Sequence, residues 1–317
     1  MISPSTPSFT SIDDAHRWLL SELVSSGAVA SPRGRETKEL LGVTFSVREP
    51  RRRCLLATGR RWSLPLAIGE FCWHVSASSD LSSIAYYAPA WREFSEDNFS
   101  ISGSCYGKRV FGRVNNGPSQ WDRLLRLLQD DLTSRRAVLS FQEQPNQALN
   151  ATAKDVACAT SLQFFVREGR VHAVAYMRSN DIIWGMPYDV FLFTMIQEML
   201  ATTLGLELGV YVHVAGSLHL YSRHYHLAGK MLDSPASESW SMPAMKSLEQ
   251  LPLFLETEKN IRSGAVYDGR LKGYWGDLAA ILAVFSRRKH PNLPEANWVA
   301  SESPYSRFVG GMSDGDG

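Results

Sequence analysis

The chain has 317 residues, of which 44% are hydrophobic and 21% charged, and its formal net charge is +1. This composition is typical of a globular protein, and the near-neutral charge argues against a general binder of polyanions such as nucleic acid. No run of about 18 uncharged apolar residues is present, so no membrane span is predicted, and the first residues do not resemble a secretory signal.

Apolar spacing predicts a mixture of helices and strands along the chain. The first predicted elements are a helix over residues 12–26, a loop over 30–42, and two strands over 43–59 around a turn at Glu49 and Pro50. The remaining predicted elements, in chain order, are a buried helix at 64–77, a loop-rich aromatic stretch at 80–117, an amphipathic helix at 120–132, strands at 137–142, 161–178 and 208–221 with a helix at 187–204 between the last two, loop and helix over 237–262, and a helix at about 276–287.

Turn and capping residues support two of these elements. Glu168-Gly169 interrupts an alternating stretch and predicts a hairpin. Pro187 lies in the first turn of a predicted helix and Gly205 just past its end, the usual places for these residues. No repeat or linker is visible, so we predict one α+β domain over residues 1–317, with a flexible tail at about 310–317.

None of the four cysteines forms a C-x-x-C pair, and we expect free thiols in a reducing cytoplasm. Cys158, at the edge of a predicted strand, is a candidate nucleophile, because a thiolate attacks carbon once nearby cations or a base lower its pKa. A buried small apolar residue is the alternative for each of them. The other three are Cys54, Cys72 and Cys105.

Arginines recur where predicted elements end, and the planar guanidinium group suits a phosphate dianion. The alternative for each cluster is a set of solvated surface arginines. The clusters are Arg33 and Arg35 in "PRGR", Arg135 and Arg136 in "SRR", and Arg178 in "RSND".

Glu70 lies inside the apolar run "LAIGEFCWHV". A carboxylate there is costly to bury unless it is paired or functional, and a buried glutamate with a raised pKa suits proton transfer near neutral pH. A solvent-facing helix turn is the alternative.

Histidines at 219, 224 and 226 have spacing similar to that of metal ligands. His219 and Tyr221 share one face of a predicted strand, which suits hydrogen bonding to a ligand hydroxyl better than metal ligation. No H-E-x-x-H motif accompanies them, so no metal site is predicted.

Six segments, taken in order, resemble the thymidylate synthase superfamily. They are "IGEFCWHV", "CYGKRV", "SRR", "ACATSLQFFV", "YMRSNDIIWGMPYDV" and "HLY", and they span about residues 30–225. The resemblance implies a central mixed β-sheet flanked by helices, and a homodimer joined through the sheet face.

The same resemblance implies the chemistry. In the family a cysteine thiolate adds to C6 of a pyrimidine nucleotide, and C5 then attacks the one-carbon unit of 5,10-methylenetetrahydrofolate. Cys158 stands at the position of the nucleophile. Glu70 stands at the position of the glutamate that organises water and proton transfers.

Ligand contacts follow from the same motifs. Arg178 and Ser179 match the family's phosphate-binding pair, and His219 and Tyr221 match its sugar-hydroxyl pair. Arg135 and Arg136 match arginines that a second subunit lends to the phosphate. One of Arg33 and Arg35 matches the phosphate arginine of a flexible loop, with Arg33 favoured. Residues matching the pyrimidine and folate sites are Trp91, Tyr106, Asp181 and Gly185.

Asp189 departs from the family's methylases, which have asparagine there, and matches its cytidylate hydroxymethylases. Cytosine presents N3 as an acceptor and its 4-amino group as a donor, the reverse of uracil. A protonated Asp189 matches that edge, and an ionised one pairs with N3-protonated cytosine. The carboxyl therefore predicts cytosine as the base.

Three further departures concern hydride transfer. Ala159 replaces a histidine, Met177 replaces a glutamine, and the C-terminal residues run on beyond the usual short apolar tail. A more open folate side would admit water to the exocyclic methylene intermediate. We therefore predict hydroxymethylation of cytidylate, with CMP favoured over dCMP because of similarity to enzymes of nucleoside-antibiotic pathways such as that of mildiomycin.

Three alternatives remain open: a methylase of uridylate or cytidylate, a non-catalytic nucleotide-binding paralogue, and, ranked last, a metal-dependent hydrolase based on the histidines.

Overall fold

The computed structural model describes residues 3, 5–115, 117–142, 149, 152–293, 304–306 and 308. Nine α-helices lie within these described ranges, and short 3-10 turns cover Pro32–Gly34, Pro89–Phe94 and Ser222–His224. The α-helices are α1 (Ile12–Ser26), α2 (Leu64–Val75), α3 (Leu81–Ala85), α4 (Tyr106–Phe111), α5 (Gln120–Asp130), α6 (Met186–Leu204), α7 (Tyr225–Asp233), α8 (Leu251–Arg262) and α9 (Gly273–Lys289).

The strands form one mixed sheet, in the order β1-β3-β8-β6-β5-β4, with β2 paired to β3 and β7 paired to β8. Helices flank the sheet, which confirms the predicted α+β class. The strands of the described chain are β1 (Ser8–Phe9), β2 (Ala28–Ala30), β3 (Thr37–Val47), β4 (Val138–Ser140), β5 (Ala159–Arg167), β6 (Arg170–Met177), β7 (Asn180–Asp181) and β8 (Glu207–Tyr221).

The predicted hairpin is confirmed between β5 and β6. Arg167 pairs with Arg170 across a two-residue loop. Glu168 and Gly169 both adopt positive φ, at 52° and 70°. A two-residue turn of this kind follows the twist of the strands it joins, so the hairpin fixes the register that brings Ala159 opposite Met177 at its far end.

Helix α6 connects β6 to the parallel strand β8 and packs against both. It is apolar all round, because it lies in the core with nearly every side chain buried. Pro187 lies in its first turn, and Gly205 ends it in the left-handed conformation with φ 65°, as the sequence predicts. The helix therefore carries its only acidic first-turn residue, Asp189, to the carboxyl end of β6.

Two sequence predictions are wrong. Residues 30–42 were expected to form a loop, but residues 37–42 begin β3, which pairs with β2 on one side and β8 on the other. Polar Lys38 and Glu39 obscure the alternation, and Gly42 interrupts it with φ 67°.

The second strand expected within residues 43–59 is also absent, since residues 48–63 have no regular structure. Arg51 and Arg53 both turn toward Glu198 of α6, while Arg52 pairs with Glu49. The two ion pairs with Glu198 hold the segment against α6, and it does not pair as a strand of the sheet.

Most buried apolar side chains form one core between the sheet and its helices. A smaller cluster forms beside it around Trp73, Ile84 and Ile101, with Trp91 packed against it. No helix among the described residues is both long enough and apolar enough to cross a membrane. The flexible tail predicted at about 310–317 lies outside the described residues, and one domain over residues 1–317 stays a prediction.

Candidate active site

The hairpin β5–β6 brings Cys158 and Arg178 together. Cys158 precedes β5 and Arg178 follows β6, and the Arg178 backbone N–H donates to the Cys158 carbonyl at 2.8 Å. The Arg178 guanidinium donates to the carbonyls of Ala157 and Val156 and lies with Nη2 3.8 Å from the Cys158 Sγ. A cation is therefore fixed beside the thiol by backbone contacts.

The surroundings of Cys158 favour the neutral thiol. Burial raises its pKa to about 11, Arg178 lowers it, and the carboxylates of Asp189, Asp155 and Asp181 raise it again. A nucleophilic thiolate needs further positive charge or the loss of one of these negative charges.

Asp189 lies in the first turn of α6, beside the thiol. Its Oδ2 accepts a hydrogen bond from Asn180 Nδ2 at 2.7 Å. Burial raises the pKa of Asp189 to about 7; the Asn180 hydrogen bond opposes this rise and the nearby Asp181 adds to it. The carboxyl can therefore carry a proton near neutral pH.

Asn180 is one of several site residues that the sequence analysis missed. Its Oδ1 lies 2.8 Å from His213 Nε2, and His213 Nδ1 lies 2.8 Å from the Tyr211 hydroxyl. All three are buried. The sequence did carry one signal for His213 and Tyr211. Together with His219 they occupy odd-numbered positions of one strand, so the three side chains share one face of it.

Glu70 lies on α2 and is half-buried. Burial raises its pKa to about 8, and the negative charge of Asp189 adds to that effect. Glu70 therefore lies near enough to Asp189 for their charges to interact, and its raised pKa favours the protonated carboxyl at neutral pH.

Strand β7 brings Asp181 close to His219 and Tyr221, the pair predicted to bind the sugar hydroxyl. Asp181 pairs with His219 in the sheet, and its Oδ1 accepts from the backbone N–H of Ile183 at 2.8 Å. The His219 and Tyr221 rings meet edge to face with centroids 5.0 Å apart. Burial lowers the pKa of His219, which the carboxylates of Asp181 and Glu39 oppose.

Tyr106 reaches the same site from α4. Its hydroxyl accepts from the backbone N–H of Ala159 at 3.3 Å, and its ring stacks parallel on His74 with centroids 5.3 Å apart. Gly185 caps α6, and a Cβ there would lie 3.3 Å from Asn180 Nδ2. Ser179, half-buried between Arg178 and Asn180, completes the group on this edge.

The remaining predicted residues lie apart from this group. Trp91 packs on Trp73 in the smaller cluster, with centroids 5.7 Å apart. Arg135 and Arg136 are exposed just before β4. Their predicted role needs a second subunit, so it stays a prediction.

Arg35 and Arg33 are both exposed, and Arg33 has a positive φ of 54°. Burial and Asp181 raise the pKa of Tyr221, and Arg35 lowers it. Arg35 therefore lies near enough to Tyr221 for their charges to interact.

Arg60 is a second missed residue. It is 8% exposed, and among the described residues none of its guanidinium nitrogens has a hydrogen-bond partner. The guanidinium lies 4.8 Å from the centroid of the Trp184 ring and 5.6 Å from that of Tyr188. Burial lowers its pKa, which Tyr188 and Asp181 oppose. A buried cation without an anion is costly, so this position is suited to an anionic ligand.

The other histidines do not gather around His219 as ligands. His224 accepts from the Trp184 indole at 3.3 Å. Within the described ranges no group of three or more His, Cys, Asp or Glu side chains could hold a metal ion.

A cysteine thiol beside an arginine, three nearby carboxyls and a histidine–tyrosine pair lie together at one edge of the sheet. The sequence profile of the thymidylate synthase family matches residues 15–275, and the chain belongs to that family. Enzymes of this family use methylenetetrahydrofolate as a co-substrate. The predicted superfamily is confirmed.

Three curated relatives each share 29% sequence identity with the chain over the aligned residues. The chain is 29% identical over 216 residues to the deoxyuridylate hydroxymethyltransferase of Bacillus phage SP01, an alignment that covers 65% of this chain and 56% of that protein. It therefore spans little more than half the length of that relative.

Two thymidylate synthases are equally similar. The chain is 29% identical over 205 residues to thymidylate synthase of Bacillus atrophaeus, covering 60% of this chain and 86% of that enzyme. The match to thymidylate synthase 1 of Bacillus amyloliquefaciens has the same identity and length and covers 85% of the relative.

Proposed function

We propose that this protein hydroxymethylates C5 of a cytidine monophosphate, CMP in preference to dCMP, using 5,10-methylenetetrahydrofolate. The observation that carries the proposal is Asp189, a carboxyl with a pKa near neutrality beside the Cys158 thiol. Such a group can be protonated toward N3 of cytosine or ionised against N3-protonated cytosine.

The reaction begins at Cys158. Its sulfur forms a bond to C6 of the pyrimidine, and the electron pair moved to C5 makes that carbon the nucleophile. Arg178 stabilises the thiolate that attacks, because its guanidinium is held 3.8 Å from the sulfur. Methylenetetrahydrofolate would supply the one-carbon unit to C5, and loss of the C5 proton to a base with departure of tetrahydrofolate would leave the exocyclic methylene. After water has added to that methylene, expulsion of the Cys158 thiolate from C6 restores the C5–C6 double bond.

Glu70 manages protons and water in this scheme. Because its pKa is raised to about 8, it carries a proton at neutral pH and can donate it to the base as negative charge develops there. Once ionised, it can accept the proton of the water that adds to the exocyclic methylene. A methylase would use hydride at this point.

The folate side has a suitable counter-ion in Arg60. Folates carry glutamate carboxylates, and Arg60 is a buried guanidinium with no hydrogen-bond partner among the described residues. Its neighbour Trp184 is 47% exposed and offers a flat apolar surface to an aromatic ring. The residues present therefore fit the co-substrate.

The phosphate is expected to lie near Arg178 and Ser179, with Arg135 and Arg136 contributed by a second subunit. One face of the sheet supports dimerisation: α6 covers the face that carries Ala173 and Ala175, while the opposite face carries half-exposed Val174 and Tyr176. An open apolar sheet face of this kind suits a second copy of the chain. Location in the cytoplasm stays a prediction.

A uridylate substrate is the second candidate function. It is favoured by the names of the relatives, one a deoxyuridylate hydroxymethyltransferase and two thymidylate synthases. The ionised form of Asp189 argues against it, because a carboxylate would repel O4 of uracil. A non-catalytic paralogue would have little use for an arginine fixed beside a free thiol.

The decisive test is to incubate the protein with methylenetetrahydrofolate and each of CMP, dCMP, UMP and dUMP, and to weigh the products. We expect an added hydroxymethyl group on CMP and no dihydrofolate. A methyl product with dihydrofolate would support the methylase, and no product from any nucleotide would support the paralogue.

Asp189→Asn is expected to move the preference from cytidylate to uridylate by about a hundredfold or more, because the amide can accept from N3–H and donate to O4. The measurement is kcat/KM for both bases. Asp155→Asn is the control. The Asp155 carboxylate also raises the pKa of the Cys158 thiol, but it accepts hydrogen bonds from the backbone N–H groups of Gly103 and Ser104 and is not proposed to contact the base. An unchanged preference in Asp189→Asn would show that Asp189 does not read the base.

A further inference from the structure

A chain of buried hydrogen bonds leads from Asp189 away from the site. Asn180 bridges Asp189 and His213 with contacts of 2.7 and 2.8 Å, and Tyr211 bonds the far side of His213 at 2.8 Å. Phe45 stacks on the His213 ring with centroids 5.1 Å apart. Asp189 lies on α6, and the other residues belong to β7, β8 and β3, so these hydrogen bonds lead from the helix into the sheet.

The direction of each hydrogen bond follows from Asn180 Nδ2 acting as the donor to Asp189. Burial lowers the pKa of His213 to about 3, so its ring is neutral and carries one N–H. If Asn180 Nδ2 donates to Asp189, its Oδ1 must accept from His213 Nε2, and His213 Nδ1 accepts from the Tyr211 hydroxyl. The reversed amide would present an oxygen to the Asp189 carboxylate, which is repulsive unless Asp189 is protonated at that oxygen.

This direction resolves an ambiguity in the carboxyl group. A neutral carboxyl can match cytosine or uracil equally, because its proton can lie on either oxygen and so exchange donor and acceptor. The Asn180 N–H makes Asp189 Oδ2 the acceptor and leaves Oδ1 to carry the proton. The carboxyl then has one fixed donor–acceptor order, which an isolated aspartic acid lacks.

We propose that Asn180, held in one orientation by His213 and Tyr211, is a positioning residue that fixes the donor–acceptor order of Asp189 and thereby selects the base. This inference rests on the proposed function, in which Asp189 pairs with the base edge. Cytosine is selected when Oδ2 faces the 4-amino group and Oδ1 faces N3. Gly185 contributes by its lack of a Cβ, because any larger residue would crowd the Asn180 amide.

The test replaces the Asn180 amide and measures base selectivity. In Asn180→Leu the carboxyl loses its fixed order, and the ratio of kcat/KM for cytidylate over uridylate is expected to fall by about 10- to 100-fold. Asn180→Asp keeps the shape of the side chain and should move the ratio in the same direction, in case the leucine variant does not fold. Tyr211→Phe, which removes only the hydroxyl, should have a smaller effect of the same sign.

Gln197→Leu is the matched control. Gln197 is another buried amide, on α6, and it donates to the carbonyls of Val171 and Gly209 without touching the site. Its loss should lower the melting temperature and leave the selectivity ratio unchanged.

The pH dependence of kcat/KM separates a positioning role of Asn180 from a purely structural one. The Asn180 hydrogen bond opposes the rise in the Asp189 pKa, so its loss should shift the Asp189 limb of the profile to higher pH. The groups that share charge interactions with Asp189 are Asp181 on β7, Glu70 on α2, Tyr106 on α4, Tyr211 on β8 and Cys158 before β5. They are unaltered in Asn180→Leu, Asn180→Asp and Gln197→Leu, whereas Tyr211→Phe changes one of them.

The outcomes separate the two proposals. A wild-type preference for cytidylate that Asn180→Leu and Asn180→Asp both retain, with an unshifted profile, would overturn the positioning role and leave the proposed function standing. A wild-type preference for uridylate that collapses in these variants would support positioning and overturn the assignment of the base. If no nucleotide is converted, the same ratio is measured as dissociation constants.

Discussion

At the scale of single residues, the reactivity of Cys158 depends on the charges around it. Its pKa is about 11, with Arg178 as the favourable neighbour and Asp189 as an unfavourable one. At physiological pH the free protein therefore holds a thiol, and the thiolate forms only as the local balance of charge changes. Ligand phosphate and partner arginines are expected to alter that balance.

This charge balance can be measured by alkylation of Cys158 with iodoacetamide. Because only the thiolate reacts, the rate in the free protein should rise with pH toward about 11. Arg178→Ala raises the pKa, so it should slow alkylation about tenfold at about pH 8, whereas Asp189→Asn lowers the pKa and should speed it. Site-resolved mass spectrometry gives the rates, with buried Cys72 as an internal control. Equal rates in the two variants would contradict this account.

Arg60 is expected to matter for folate more than for folding. Arg60→Met removes a buried cation without a hydrogen-bond partner among the described residues, so the melting temperature should be retained or rise. The KM for methylenetetrahydrofolate should increase by about tenfold or more, with little change for the nucleotide. Arg61→Met, at the exposed neighbouring position, is the control. A normal folate KM in Arg60→Met would remove Arg60 from the site.

Residue types alone identified part of the site. Cys158, Glu70 and Arg178 stood out because a nucleophile or a charge lay in an apolar or strand-edge context, whereas Asp189 was singled out through the family resemblance. Asn180 and Arg60 did not, because an amide beside a charged pair and an arginine in a polar stretch are ordinary in sequence. Their importance comes from burial and from the partners they have or lack, which only the folded chain shows.

At the scale of elements, the irregular segment 48–63 is held to α6 by a buried ion pair. Glu198 accepts from Arg51 at 2.6 Å and from the Met245 backbone at 3.0 Å, and it also pairs with fully buried Arg53. Burial alone would raise the pKa of Glu198, but Arg53 lowers it below its ordinary value. The same segment continues to Arg60 and Ser63, so the ion pair helps to position Arg60.

Removing Glu198 should therefore be costly. Glu198→Ala leaves Arg53 buried without its anion and should lower the free energy of unfolding by about 3–5 kcal/mol. The pKa of Glu198 is depressed in the folded protein, so its contribution is present at neutral pH and is lost as pH falls through the folded-state pKa.

The matched control is Glu49→Ala, which removes the exposed ion pair with Arg52 and should cost about 0–1 kcal/mol. Chemical denaturation at neutral and acidic pH measures both variants. A loss for Glu198→Ala no larger than that for Glu49→Ala would show that the pair does not hold the segment.

Sequence patterns predicted elements with strong local signals and failed where charges altered the pattern. The hairpin at Glu168-Gly169 and helix α6 were predicted because turn and cap residues define them locally. The start of β3 was missed because its pairing with β2 and β8 lies outside any local window. The second strand expected within residues 43–59 was wrong because Arg51 and Arg53 pair with Glu198, which lies almost 150 residues further along the chain.

At the scale of the whole molecule, the proposed site is complete only in a dimer. Arg135 and Arg136 are exposed in the single chain, and the proposal assigns them to the phosphate of the other subunit. Two mutants that are each inactive can then complement each other, provided that their lesions fall in different sites of a hybrid dimer.

Mixing Cys158→Ala with Arg136→Ala should restore activity. In a hybrid, one site has both defects and the other has none, so equal mixing is expected to recover about a quarter of wild-type turnover. Mixing Cys158→Ala with Arg178→Ala is the control, because both residues belong to the same subunit's site, where they touch. No recovery after verified subunit exchange would contradict the shared site.

Strand β7 is only two residues long, and it has a consequence for how quickly ligands are captured. Its pairing places Asn180 and Asp181 beside Leu218 and His219, and the Ile182 N–H donates to the His219 carbonyl at 3.0 Å. The groups proposed for the base and the sugar are thus joined by backbone before any nucleotide arrives. Nucleotide association should then be set by diffusional encounter, with little slow rearrangement. Arg60, in contrast, lies in the irregular segment 48–63. Any slow rearrangement is therefore expected during folate binding and not during nucleotide binding.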